Sequence, residues 1–148
     1  MVKTRHTIQR QMVLNVVKNL NHPTAYHVYE EIKKQYRNIS LGTVYRNLNF
    51  LVDAGDIQRL AFKGSPEYYD QAVQPHYHLK CTACGEIVDL WLDYFNAIDT
   101  LVMEKSQCKV HHHTIDFCGL CPQCVEQRTH KDSDNIKDVP QEPISNND

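Results

Sequence analysis

Two Cys-x-x-Cys hooks, Cys81/Cys84 and Cys121/Cys124, carry the clearest chemistry in this chain, with His76 and His78 just upstream of the first. Each hook offers two thiolates from one tight turn, and residues 85–120 between them can fold back to join the pairs. Four thiolates around Zn2+ form a closed tetrahedral shell with no position left for water, so the spacing predicts a structural zinc site. The two histidines lie outside that sulfur set. On a strand they point to the same face, and Asp70 and Asp89 flank them in sequence. Imidazoles and carboxylates without sulfur suit Mn2+ or Fe2+, although zinc also fits. One metal would hold the structure; the other would be free for a different task. Without a second metal, the same residues read as two exposed strand histidines and two solvated aspartates. Cys108 and Cys118 fit neither hook and are expected to be buried apolar cysteines.

The elements that must position these groups fit a chain of 148 residues, enough for one medium domain or two small ones. A structural zinc makes two small modules plausible, because it supplements a core too small to close by burial alone. No apolar run is long enough to span a bilayer, and the N-terminus, MVKTRHTIQRQ, has no signal-like stretch. The six cysteines are therefore expected to be reduced thiols of a cytoplasmic protein. The net charge of −2 hides a division: residues 1–63 carry ten Lys/Arg against four Asp/Glu, and residues 64–148 carry six against fourteen. A basic front half on an acidic chain is the electrostatic footprint of a polyanion partner.

Ile8, Met12, Val13, Val16, Val17 and Leu20 recur at helical spacing and predict a helix over 7–20. His22-Pro23 breaks it, and Thr24 caps a second helix with Ala25, Val28, Tyr29, Ile32 and Tyr36 on its apolar stripe. Ser40 caps a third, in which Leu41, Val44, Leu48, Leu51 and Val52 face inward and Gly55 ends the run. Two short strands, 57–62 and 67–71, follow around the turn Lys63-Gly64-Ser65-Pro66. Three helices and a hairpin are the order of a winged helix-turn-helix, whose third helix enters the DNA major groove. Its outward face is expected to show Thr43, Tyr45, Arg46, Asn47 and Asn49, groups suited to base edges and phosphates. Beyond Gln74, strands over 77–81, 86–92 and 110–117, with a helix over 94–105 burying Phe95, Ile98, Leu101 and Val102, predict a small α/β module. His111–His113 are expected to alternate across the last strand. A polar tail, disordered, is expected over 126–148.

Several stretches resemble the Fur family of metal-dependent bacterial repressors: His22-Pro-Thr-Ala, Ile39-Ser-Leu-Gly-Thr-Val-Tyr-Arg-Asn-Leu, His76-Tyr-His, Cys81-Thr-Ala-Cys-Gly and Gly119-Leu-Cys-Pro-Gln-Cys. They occur in family order and spacing over about residues 5–124. The resemblance implies an α+β protein: a winged-helix DNA-binding domain (1–70), a hinge (71–75) and a zinc-anchored α/β dimerisation domain (76–125). It adds His22 to Asp70, His76, His78 and Asp89 as a fifth regulatory ligand for Fe2+ or Mn2+. It also implies a homodimer on a palindromic, AT-rich double-stranded operator, with DNA contacts from Ser40, Thr43, Tyr45, Arg46, Asn47, Arg5 and Arg10. The family usually carries a further N-terminal helix, so some DNA contact is expected to be lost here.

Aspartate at both 70 and 89 resembles the peroxide-sensing branch, in which bound Fe2+ leads to oxidation of a ligating histidine, here His22 or His76. Iron-uptake regulators more often have glutamate there, and zinc-uptake regulators a cysteine just before the histidine pair, which 71–75 lack. Arg46 after Tyr45 is commoner in those two branches, and they stay open as alternatives. An extra metal site found in some iron regulators is expected to be absent or incomplete, with His113 its remnant. From another class, a mononuclear metalloenzyme would need a turnover base that the chain does not offer.

Overall fold

The computed structural model describes residues 5–133, with side chains over 7–128. Helices α1 (Arg5–Asn19), α2 (Ala25–Lys33) and α3 (Leu41–Asp53) precede the strands β1 (Gln58–Leu60) and β2 (Tyr68–Asp70). Val13 and Val17 of α1, Val28 and Ile32 of α2, and Val44, Leu48 and Leu51 of α3 pack with Ile57 and Tyr69 into one core. The inward spacing of the sequence thus becomes a three-helix cluster closed by the hairpin. Thr24 caps α2, its hydroxyl accepting from the His27 N–H at 3.2 Å, and Ser40 caps α3, accepting from the Thr43 N–H at 3.1 Å.

β1 and β2 pair antiparallel, Gln58 opposite Asp70 and Leu60 opposite Tyr68. The hairpin is tied back to the helices, because the Tyr69 N–H donates to the Pro23 carbonyl at 2.9 Å and Thr24 bridges Tyr68. That tie brings the end of β2 beside the α1–α2 turn, where His22 takes a left-handed backbone with φ +44°. Such a backbone is uncommon for a residue with a Cβ, though histidine tolerates it better than most.

The second half is a three-stranded sheet of β3 (Tyr77–Cys81), β4 (Ile87–Leu90) and β5 (Asp116–Gly119), with β3 central. β3 pairs antiparallel with β4, placing His78 opposite Asp89, and parallel with β5, placing Cys81 opposite Gly119. α4 (Asn96–Ser106) and α5 (Pro122–Ser133) complete the element order.

Several expectations change here: α2 ends at Lys33, and Tyr36, expected on its apolar stripe, stands exposed beyond it. The last strand is only Asp116–Gly119, and His111–His113 precede it without strand pairing. Phe95, Leu101 and Val102 stand exposed rather than buried, and α4 has no buried residue. Helical spacing shows that such residues share a face; it does not show what covers that face. Cys108 and Cys118 are exposed, not buried. Residues 126–133 belong to α5, so helix extends into the stretch expected to be a tail; the remainder of that stretch lies outside the described residues.

Candidate metal centres and nucleic-acid interface

The β3–β5 register carries Cys121 back to Cys81, and the Thr82 N–H donating to the Gly119 carbonyl at 2.7 Å locks the two hooks side by side. Gly85, at φ +78°, lets the first hook turn tightly, with its N–H on the Cys81 carbonyl at 2.9 Å. The second hook straddles the start of α5, where Pro122 is the first helical residue. The four sulfurs all lie within 4.8 Å of one another, with Cys84 and Cys121 3.7 Å apart. A tetrahedron with bonds of about 2.3 Å has edges of about 3.8 Å, so the cluster has the size of a zinc shell. Backbone N–H groups of Cys121 and Cys84 lower the Cys81 thiol to about 6, while the neighbouring Cys121 thiol helps push Cys124 up to about 12. Crowded sulfurs resist carrying several negative charges together unless a cation joins them.

The second cluster draws on four places in the chain. His22 comes from the α1–α2 turn, Asp70 from the end of β2, His76 from just before β3 and His78 from within it, and Asp89 from β4. His22 Nε2 lies 2.8 Å from Asp89 Oδ1 and 3.9 Å from Asp70 Oδ2. His76 Nε2 lies 3.1 Å from Asp70 Oδ2 and 3.3 Å from Asp89 Oδ1; for His78 Nε2 the values are 3.3 and 3.4 Å. The ligand atoms of His22, Asp70, His78 and Asp89 all lie within 4.8 Å of one another, and His76 reaches them through Asp70 and Asp89. Adjacent donors around a six-coordinate metal with bonds of about 2.1 Å are about 3 Å apart, the scale of the shorter of these distances.

The protonation pattern points the same way. His22 Nδ1 is 2.9 Å from Asn21 Oδ1, and His76 Nδ1 is 2.7 Å from the Gln74 carbonyl. Both partners are acceptors, so each Nδ1 is the donor there, and in that neutral tautomer each Nε2 turns a lone pair inward. His22 Nε2, His76 Nε2 and Asp89 Oδ1 are accordingly buried with no hydrogen-bond partner among the described residues. Lone pairs facing lone pairs in a buried pocket are costly unless a cation sits among them. The residues therefore fit a divalent metal. Burial alone would raise the Asp70 carboxyl, but hydrogen bonds from His78, the Ala72 N–H and the Gln58 amide outweigh it and hold the group at about 2. Asp70 is thus a ready anion throughout the physiological range.

The DNA-facing expectations divide. Tyr45, Arg46 and Asn49 are exposed on α3, with Thr43 half-buried at its start. Arg46 donates to Thr43 Oγ1 at 3.1 Å, and Arg59 of the hairpin donates to Asn49 at 2.6 Å. Arg10 lies over the Phe50 ring, 3.3 Å from its centroid. Asn47 does not face outward: it is buried, and its amide donates to the Thr43 carbonyl at 2.8 Å. It shares the inward side with Val44, Leu48 and Leu51, and its polarity concealed that position in the sequence. Arg5 opens α1, but its side chain lies outside the described residues.

His113 makes a third polar cluster that spacing did not reveal. Its Nδ1 lies 2.6 Å from Asp99 Oδ1 and its Nε2 2.9 Å from the Tyr77 hydroxyl, with the Tyr94 ring stacked on it at 4.3 Å. Both ring nitrogens are engaged within the chain.

A winged helix joined through a buried histidine–aspartate cluster to a module fastened by four cysteines defines a metal-responsive, DNA-binding regulator. The model of the ferric uptake regulator family matches residues 2–118, and the chain belongs to that family, whose members are transcription regulators rather than enzymes and bind DNA as dimers. It is 33% identical over 124 residues to the peroxide-responsive repressor PerR of Staphylococcus aureus, covering 83% of this chain and 84% of that protein. The Campylobacter jejuni peroxide stress regulator matches with a TM-score of 0.63 and 34% identity over 81% of this chain and 91% of that one. The Helicobacter pylori ferric uptake regulator Fur, described as having three functional metal-binding sites, gives 0.67 and 28% over 80% of each chain. No helix among the described residues is long and apolar enough to cross a membrane.

Proposed function

We propose that this chain is a cytoplasmic, homodimeric repressor that grips operator DNA when its regulatory site holds Fe2+ or Mn2+, and that it senses peroxide through oxidation of His22 or His76. The observation that carries this reading is the convergence of His22 and Asp70, from the winged-helix half, with His76, His78 and Asp89 from the zinc half. Zn2+ at Cys81, Cys84, Cys121 and Cys124 holds the second half together. Fe2+, when bound, supplies the electron that turns H2O2 into an oxidant of a ligating imidazole, a reaction that Mn2+ does not support.

The chain's own residues provide the coupling. Asn21 and Gln74 fix the His22 and His76 tautomers, so both Nε2 atoms are presented without a proton to displace. Ligands from both halves then set one angle between them. In a two-fold dimer that angle fixes the spacing of the α3 helices against half-sites of a palindromic, AT-rich operator. Metal that binds this arrangement better shifts the population towards it. The exposed Phe95, Leu101 and Val102 supply apolar surface for the dimer contact. Ser40, Thr43, Tyr45, Arg46, Arg5 and Arg10 are the DNA-contacting set, without Asn47.

The aspartates at 70 and 89 and the likeness to two peroxide regulators support peroxide as the signal. Arg46 beside Tyr45 keeps iron-uptake or zinc-uptake control as the second reading. The deciding experiment loads the protein with Fe2+ or Mn2+, exposes each form to micromolar peroxide, and follows operator binding and peptide masses together. Loss of binding with one added oxygen on His22 or His76, in the iron form only, is expected. Iron-loaded protein that keeps its DNA affinity and unmodified histidines would refute peroxide sensing.

A further inference from the structure

The His76 side chain is fully buried, yet what lies over it is an exposed residue. Trp91, just beyond β4, stacks its indole on the imidazole with ring centroids 4.3 Å apart and planes 20° from parallel. Trp91 itself is 61% exposed, so its outer face meets solvent while its inner face seals His76. The His78 ring approaches His76 at 4.3 Å and 56°. The Gln74 carbonyl holds Nδ1, and Nε2 points at Asp70 and Asp89. The Cβ–Cγ torsion of histidine is broad and one hydrogen bond at Nδ1 restricts it only in part, so a flat partner on the ring face narrows the remaining freedom. The β3–β4 register, which pairs Tyr77 with Leu90, sets Trp91 opposite His76 one step further on, and an indole left 61% exposed there gains little from burial for itself.

We propose that Trp91 is a positioning residue of the regulatory metal site: its indole fixes the plane of the His76 imidazole and closes that side of the site to water. The inference rests on the reading of His22, Asp70, His76, His78 and Asp89 as metal ligands. A residue holding a ligand in place acts on metal retention without touching the metal, as other outer partners of metal-bound histidines do. Because Trp91 is the only tryptophan in the chain, its fluorescence reports on this face alone.

The test titrates Mn2+ into the zinc-loaded full chain, following the free ion by electron paramagnetic resonance and Trp91 by fluorescence. Trp91→Phe keeps a flat aromatic face; Trp91→Leu and Trp91→Ala do not. Stacking of this kind predicts Mn2+ binding weakened about three- to tenfold in the Leu and Ala variants and within about twofold of wild type in Phe. The His76 ring protons in the Mn2+-free protein should lie upfield in wild type and Phe and move downfield in Leu and Ala. Trp91→Leu retains apolar bulk and decides the matter if Trp91→Ala fails to fold. Wild-type affinity in Leu, or a Phe variant as weak as Leu, overturns the role of Trp91 alone. If His76→Ala binds Mn2+ as wild type does, the reading of the site falls, and this inference with it.

Discussion

His22 Nε2 and Asp89 Oδ1 stand 2.8 Å apart, although one sits in the turn between the first two helices and the other on the second strand of the zinc half. Neither atom has a hydrogen-bond partner among the described residues. Removing either should therefore cost metal, not architecture. His22→Ala and Asp89→Ala are each expected to lower Mn2+ affinity by about a hundredfold or more, since even outer-shell changes cost about 10- to 100-fold. Both should keep their zinc. Metal analysis and Mn2+ titration of the two variants check this, and loss of zinc would show that the two clusters are not separate.

The cysteine cluster predicts a pH dependence whose sign follows from its thiols. Cys84 and Cys124 are raised and so protonated through the neutral range, whereas Cys81 at about 6 has already lost most of its proton at pH 7. Zinc must displace the protons that remain, so its affinity rises with pH. Between about pH 6.5 and 8 the logarithm of the zinc affinity should climb by about two or more per pH unit. Competition with a chelator of known affinity across that window measures the slope. A flat profile would mean that the thiols are not the ligands.

On α3, two neighbouring residues should fail in different ways. Arg46→Ala removes an exposed cation and is expected to weaken DNA binding by about 1–3 kcal/mol, with little change in melting temperature. Asn47→Ala removes a buried amide from the Thr43 carbonyl and should cost about 1 kcal/mol of stability. Fluorescence anisotropy on DNA and thermal melts, run on both variants, separate the roles. A stable Asn47→Ala protein with lost DNA affinity would return Asn47 to the interface.

His113 ties the segment before β5 to α4 through Asp99 and to β3 through Tyr77. His113→Ala should destabilise the zinc half by about 1–3 kcal/mol, because it strands partly buried polar partners. Mn2+ and zinc content should stay unchanged. A fall in metal content at constant stability would instead make this cluster a ligand set.

The sequence made some of this plain and hid the rest for physical reasons. The cysteine hooks were legible because both ligands of each pair come from one short turn, where spacing alone dictates geometry. His78 and Asp89 became legible once two adjacent strands were predicted, since the antiparallel register places them opposite each other. His22 entered only through family resemblance: its approach to Asp70 depends on the Tyr69–Pro23 hydrogen bond and a left-handed backbone, which no periodicity encodes. Asn47 was misplaced because a polar residue at a core position looks like surface until its partner is known. The Trp91 stack continues the register that pairs Tyr77 with Leu90, one step beyond the paired residues, whereas the His113 network joins residues brought close by loops, which carry no repeating pattern to read. The apolar face of α4 was visible as a face, but nothing among the described residues buries it.

The central claim is that one metal links the two halves and thereby sets the grip on DNA. Linkage makes this reciprocal, so DNA must tighten the metal as much as the metal tightens DNA. The most direct measurement is the Mn2+ affinity of wild type and His22→Ala, each with and without a duplex selected in vitro by the Mn2+-loaded protein. Wild type should bind Mn2+ about 5- to 150-fold more tightly on DNA, while His22→Ala should show no such gain. Equal gains in the two proteins, or none in wild type, would contradict the account.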